Sequence, residues 1–139
     1  MSQIGNPVVA RTRQGKVEGS VENGQFVFRG IPYAAPPTGP LRWRAPRPAA
    51  AWTGVRSARA FGPVSPQNPL PGSDVMAALS AAEPQDEDCL YLNVWTPGLD
   101  DAARPVMVWI HGGAFIIGAG SEKMDRDNPL VPRGAVVRG

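Results

Sequence analysis

Pro105-Val-Met-Val-Trp-Ile-His-Gly-Gly-Ala-Phe-Ile-Ile-Gly-Ala-Gly-Ser121 is the stretch on which the reading of this chain turns. Its opening, Val106-Met-Val-Trp-Ile110, is a continuous apolar run of strand length, the pattern of a strand buried on both faces. The run stops at His111 and gives way to Gly112-Gly113-Ala114-Phe115. Two glycines directly after a buried strand let the backbone turn sharply and let its N–H groups approach a ligand closely.

Outward from this stretch, the composition is that of a folded chain. Its 139 residues have room for one domain of ordinary size, and a hydrophobic share of 42% argues against global disorder. Sixteen glycines and sixteen prolines predict many turns. The net charge is only +2 and the arginines are scattered through loops, so nothing marks a nucleic-acid surface. No run approaches the ~18 apolar residues of a membrane span, and residues 1–8 lack the basic and apolar regions of a signal peptide. With Cys89 as its single cysteine the chain has no internal disulfide and fits a reducing compartment, which makes a cytoplasmic location the default expectation.

Before the glycine loop, residues 8–34 read as short strands broken by turns. Val8-Val-Ala10 precedes a turn at Gln14-Gly15, and Asn23-Gly24 is a strong hairpin signal leading into Gln25-Phe-Val-Phe-Arg29. Prolines punctuate residues 35–72 and make regular structure improbable there, while Leu41, Trp43, Trp52, Val55 and Phe61 are expected to pin this long loop to a core. Ser73 is a candidate cap for a short helix over residues 74–82. Cys89-Leu-Tyr-Leu-Asn-Val-Trp-Thr96 predicts a strand. The short link through Asp100-Asp101 and Arg104-Pro105 predicts antiparallel pairing of that strand with residues 106–110. Arg133-Gly-Ala-Val-Val137 resembles the opening of another strand, and no internal repeat is present.

Several ordered blocks together resemble the type-B carboxylesterases, the cholinesterase-like branch of the α/β-hydrolases. They are Phe28-Arg-Gly-Ile-Pro-Tyr-Ala34, Pro36-Pro-Thr-Gly-Pro-Leu-Arg-Trp-Arg44, Trp52-Thr-Gly-Val55, Glu87-Asp-Cys-Leu-Tyr-Leu-Asn-Val-Trp-Thr-Pro97 and Pro105-Val-Met-Val-Trp-Ile-His-Gly-Gly-Ala-Phe115. The resemblance implies a serine hydrolase of small carboxylic esters that needs no cofactor, metal, nucleic acid or membrane. It implies an α/β fold: the N-terminal portion of an α/β-hydrolase, with a small antiparallel sheet leading into the first strands of the central sheet. It assigns the backbone N–H groups of Gly113 and Ala114 to an oxyanion hole and gives Gly112 the role of shaping the loop. Fixed N–H donors of this kind meet the charge that develops on a carbonyl oxygen without reorganising. Alanine at the last place of His111-Gly-Gly-Ala114 keeps its N–H, so the departure from glycine does not remove the donor. The resemblance also pairs Arg42 with Glu87, a partly buried pair able to be bidentate. It puts Ser65 where the family commonly has a cysteine bonded to the one at position 89, leaving Cys89 a free thiol.

The rest of the machinery is missing from these residues. No serine lies in a Gly-x-Ser-x-Gly elbow, and the single histidine, His111, belongs to the glycine loop, so nucleophile, base and acid are all absent. Nothing suggests the lowered thiol pKa that a Cys89–His111 dyad requires, and one His and one Cys in separate strands have no metal-ligand spacing. Gly118 is followed by Ala119 and not by the Lys of a P-loop, and Gly118-Ala-Gly120 lacks the third glycine of a dinucleotide fingerprint. Residues 1–139 are therefore expected to be the N-terminal part of a carboxylesterase domain, incomplete at the C-terminus and inactive alone. The alternative is a non-catalytic module that associates with another polypeptide.

Overall fold

The computed structural model describes residues 7–68, 83–122 and 135–138. Seven strands form one sheet. They are β1 (Pro7–Arg11), β2 (Lys16–Glu22), β3 (Gln25–Pro32), β4 (Val55–Ser57), β5 (Tyr91–Thr96), β6 (Val106–Trp109) and β7 (Ala135–Arg138). The order across the sheet is β1-β2-β3-β5-β7-β6, with β4 paired to β2 beside β3. Among the described residues the only helical element is a 3-10 turn at Gly39–Leu41. The candidate helix over residues 74–82 lies outside them.

The N-terminal meander follows from local chemistry. Thr12 closes the first turn by accepting from the N–H groups of Gln14 and Gly15 and donating to the Gly15 carbonyl. Asn23 and Gly24 both have left-handed φ, 50° and 75°, as a two-residue type I′ turn requires. Alternation then divides β3 between two small cores. Val27 faces Trp95, its direct partner on β5, with Phe61 packed alongside. Phe28 points the other way, into Val17 and Ala58, with Trp52 at the margin.

Long-range pairing departs from the expectation at three points. First, β5 and β6 do not pair. β7 lies between them, antiparallel to β5 and parallel to β6. A short link permits a hairpin but does not compel one when a later strand presents a better edge. Second, β6 is exposed along its whole length, with Val108 at 65% and the following Ile110 at 82%, because no described residue covers it. Third, residues 55–57 form a strand despite the surrounding prolines, since Lys16–Glu18 of β2 offers them a free edge in parallel register. The predicted pins divide likewise. Phe61 and Trp52 pack against the cores, whereas Trp43 is 88% exposed and lies against the Arg42 guanidinium.

A bulge between Phe28 and Ile31 interrupts the β3–β5 ladder. There the Gly30 N–H donates to the side-chain oxygen of the buried Asn93 at 3.0 Å. This diversion turns a strand residue toward the glycine loop.

Candidate functional site: the loop after β6

The chain leaves β6 at Trp109 and enters a tight turn built on Gly113. The Gly113 carbonyl accepts from the N–H groups of Ile116 at 3.0 Å and Ile117 at 3.1 Å. The two central residues, Ala114 and Phe115, both take left-handed φ, 54° and 62°. That is a type I′ turn, normally occupied by Gly, Asn or Asp. Holding side-chain-bearing residues there costs on the order of 1–3 kcal/mol each, which the surrounding contacts must sustain.

Those contacts are steric as well as polar. Gly113 has φ 116°, and a Cβ on it would stand 1.8 Å from the Ile117 carbonyl oxygen. Gly118 has φ 111°, and a Cβ there would stand 2.4 Å from the Gly112 oxygen and 2.6 Å from the His111 ring. The loop thus closes on itself, with Gly112 and Gly118 forming its neck. Gly112, read from the sequence as the shaping residue, has open space where a Cβ would sit and is not among the glycines with left-handed φ. The geometric demand for glycine falls on Gly113 and Gly118 instead.

His111 turns its Nδ1 to the Gly112 carbonyl oxygen at 2.7 Å. The N–H groups of Gly113 and Ala114 meet no acceptor among the described residues. Two neighbouring backbone donors at the end of a strand, already fixed in direction, are suited to a carbonyl oxygen that gains negative charge. Ile110, Phe115 and Ile116 give the loop an exposed apolar rim.

Beneath the loop is a cleft of about 250 Å³ whose lining includes Tyr33, Cys89, Tyr91, Asn93 and His111. Cys89 is a free, half-buried thiol beside the Ser65 hydroxyl. Burial pushes its pKa up, with Asp88 and Asp86 adding to the rise, while the hydrogen bond with Ser65 opposes it. Cys89 and His111 line the same cleft, and among the described residues no hydrogen bond joins them. Tyr33 and Tyr91 are likewise raised, chiefly by burial.

Two residues missed in the sequence hold the loop from below. Asn93 accepts from Gly30 and donates to the Gly120 carbonyl at 3.4 Å. Its signal was a polar residue inside an otherwise apolar strand. Gln67 engages the backbone of Gly118, and nothing in the proline-rich sequence around it marks it out. Arg42 and Glu87 meet as expected, Nε to Oε1 at 2.7 Å, but through one contact and with side chains 53% and 42% exposed. The pair is more solvated than the anticipated bidentate one, because the turn after Gly39–Leu41 holds Arg42 at the surface.

The family model described as "Carboxylesterase family" matches residues 6–137. The chain belongs to the carboxylesterase family. Among curated relatives, this carboxylesterase segment is 54% identical to phenmedipham hydrolase of Pseudarthrobacter oxydans over 129 residues, covering 88% of the chain and 26% of that protein. It is 45% identical to para-nitrobenzyl esterase of Bacillus subtilis (strain 168) over 130 residues, covering 93% of the chain and 26% of that protein. A solved structure of a para-nitrobenzyl esterase superposes with TM-score 0.81 at 45% identity, over 93% of the chain and 26% of its partner. A carboxylesterase of Geobacillus stearothermophilus superposes with TM-score 0.79 at 41% identity, over 94% of the chain and 25% of its partner. The segment thus spans about a quarter of the length of these carboxylesterases, and its fold is that of an N-terminal region of the α/β-hydrolase.

Proposed function

We propose that this chain supplies the oxyanion-binding side of a serine carboxylesterase, with the Gly113 and Ala114 N–H groups as the donors. The observation that carries the reading is their placement: two adjacent N–H groups, free of acceptors among the described residues, on a turn fixed by Gly113 and Gly118. In the reaction, a serine oxygen attacks the ester carbonyl, the carbonyl oxygen takes up negative charge, and the two donors stabilise it before the alcohol departs. An acyl-enzyme forms and water then releases the acid. No serine of the 139 residues sits in a Gly-x-Ser-x-Gly elbow and their one histidine is in the glycine loop, so these residues are the N-terminal part of a larger carboxylesterase domain and turn over no ester alone. The reducing compartment that suits a lone thiol makes the cytoplasm the proposed location.

The test joins residues 1–139 to the part of B. subtilis para-nitrobenzyl esterase that lies outside the matched quarter. The chimera should hydrolyse a p-nitrophenyl ester and lose that activity to a serine-directed phosphonate, while residues 1–139 alone should show neither property. Turnover by the short chain, abolished by the phosphonate, refutes the reading.

A second reading, a non-catalytic module bound to another polypeptide, is favoured by the exposed apolar face of β6. An uncovered apolar strand invites pairing with another segment. A defined complex on size-exclusion chromatography supports this reading, and soluble aggregates oppose it.

A further inference from the structure

We infer that Gln67 is the positioning residue of the glycine loop, clamping the neck from which the Gly113 and Ala114 donors hang. This rests on reading those donors as the oxyanion site. The Gln67 side-chain amide meets both backbone polar groups of Gly118. Its Oε1 accepts from the Gly118 N–H at 2.8 Å, and its Nε2 donates to the Gly118 carbonyl at 3.2 Å. Nε2 donates also to the Ser65 carbonyl at 3.1 Å. A side-chain amide thereby does for one loop residue what a neighbouring strand does in a ladder.

The position of the clamp gives it its importance. Gly118 lies so close to the turn entry that a Cβ on it would meet the Gly112 oxygen and the His111 ring, so a shift of Gly118 toward them has no room to occur without moving that entry. Among the described residues, Gln67 is the only side chain outside the loop that hydrogen-bonds any residue from 112 to 118. Asn93 and Glu83 engage Gly120 and Ser121, beyond the turn. The clamp also has a firm base. The Gln67 N–H donates to Gln85 Oε1 at 2.9 Å, Val64 exchanges backbone hydrogen bonds with Pro84 and Asp86 at 3.0 Å each, and Phe61 of the same segment packs against Trp95. A chain of fixed contacts therefore runs from the core to Gly118. Strained left-handed residues such as Ala114 and Phe115 persist only where their surroundings over-determine them, and Gln67 is the external part of that constraint.

Two substitutions separate the clamp from simple packing. Gln67→Leu removes both polar contacts. Gln67→Glu keeps the size and an acceptor for the Gly118 N–H, but sets a carboxylate oxygen against the carbonyls of Gly118 and Ser65. Amide hydrogen exchange is read by NMR in the 139-residue chain and by mass spectrometry in the chimera. Gln67→Leu should speed exchange at Gly118 by about fivefold or more, the loss of one net hydrogen bond, and Gln67→Glu, which loses the Nε2 donor but keeps the acceptor, should speed it less. The amides of Val27 and Trp95 should keep their rates. In the chimera both variants should lower kcat by roughly 10- to 100-fold with little change in KM, the signature of donors displaced from the transition state. Unchanged exchange at Gly118, or equal acceleration at Val27 and Trp95, overturns the clamp. Faster exchange at Gly118 with kcat intact overturns the positioning role. Gly113→Ala in the chimera tests the underlying reading separately. If it leaves kcat intact, the oxyanion assignment fails, while the exchange data still judge the clamp.

Discussion

Replacing Glu22 by glutamine exposes how the N-terminal sheet depends on one ion pair. The Glu22 carboxylate receives both Arg29 guanidinium nitrogens, Nη1 at 2.6 Å and Nη2 at 2.7 Å, and the Ser20 hydroxyl at 2.6 Å. Arg29 is only 15% exposed and its guanidinium lies 5.1 Å from the Phe61 ring centre and 5.8 Å from that of Trp95. The hydrogen bond with Arg29, aided by Ser20 and opposed by burial, holds the Glu22 carboxyl down from 4.5 to about 2. A drop of that size corresponds to about 3.4 kcal/mol of gross linkage. The Glu22 side chain is 36% exposed, so solvent screening leaves about 1–2 kcal/mol. Because the folded-state pKa is depressed, this stability is fully present above pH 4.5 and is lost as the pH falls toward 2. Glu22→Gln mimics the protonated carboxyl. It should lower the urea midpoint by about 0.5–1 M at neutral pH, with the difference from wild type shrinking through this acid window. A destabilisation of the same size at pH 7 and at pH 2.5 refutes the argument, since it means the charge of Glu22 contributes nothing.

Other substitutions test other parts of the structure. Ser65→Cys stands beside Cys89 and should form a disulfide that raises stability by about 3 kcal/mol; a thiol titration that still finds two free cysteines in the oxidised protein contradicts this. Gly113→Ala must move the Ile117 carbonyl and should cost the chimera about a hundredfold or more in kcat, whereas Gly112→Ala, with open space at its Cβ, should unsettle the loop less, as amide exchange at Ile116 and Ile117 will show. Trp95→Ala opens a cavity against Val27 and Phe61 and should cost about 3–5 kcal/mol. Trp43→Ala removes a solvated ring and should stay within about 0.5 kcal/mol in thermal unfolding, although both are tryptophans near family motifs.

How much was legible in the sequence depended on distance along the chain. Asn23-Gly24 specifies its own turn, and the alternation of Phe26, Val27 and Phe28 specifies its two faces, so the meander was readable from neighbours alone. The apolar run at residues 106–110 announced a strand but not its place in the sheet, because the choice between β5 and β7 as partner is made by a segment some thirty residues later. Trp43 and Phe61 carry similar hydrophobicity, yet one meets solvent and the other meets Trp95. Composition does not encode which side of a proline-rich loop faces inward. Of the candidate site, the glycine turn was visible because it needs special residues. Gln67 was invisible because its partner lies 51 positions away and any amide of the right reach performs the task.

The insertion of β7 between β5 and β6 sets a timetable for synthesis. Residues 7–32 can pair as soon as they emerge, and β5 can add to them. β6 reaches the sheet only through β7, which begins 26 residues after the end of β6. At ~5–20 residues per second, a ribosome takes roughly 1–5 s to cross that interval. For those seconds β6 and the glycine turn that follows it hang from an unfinished edge, open to chaperones and to neighbouring copies.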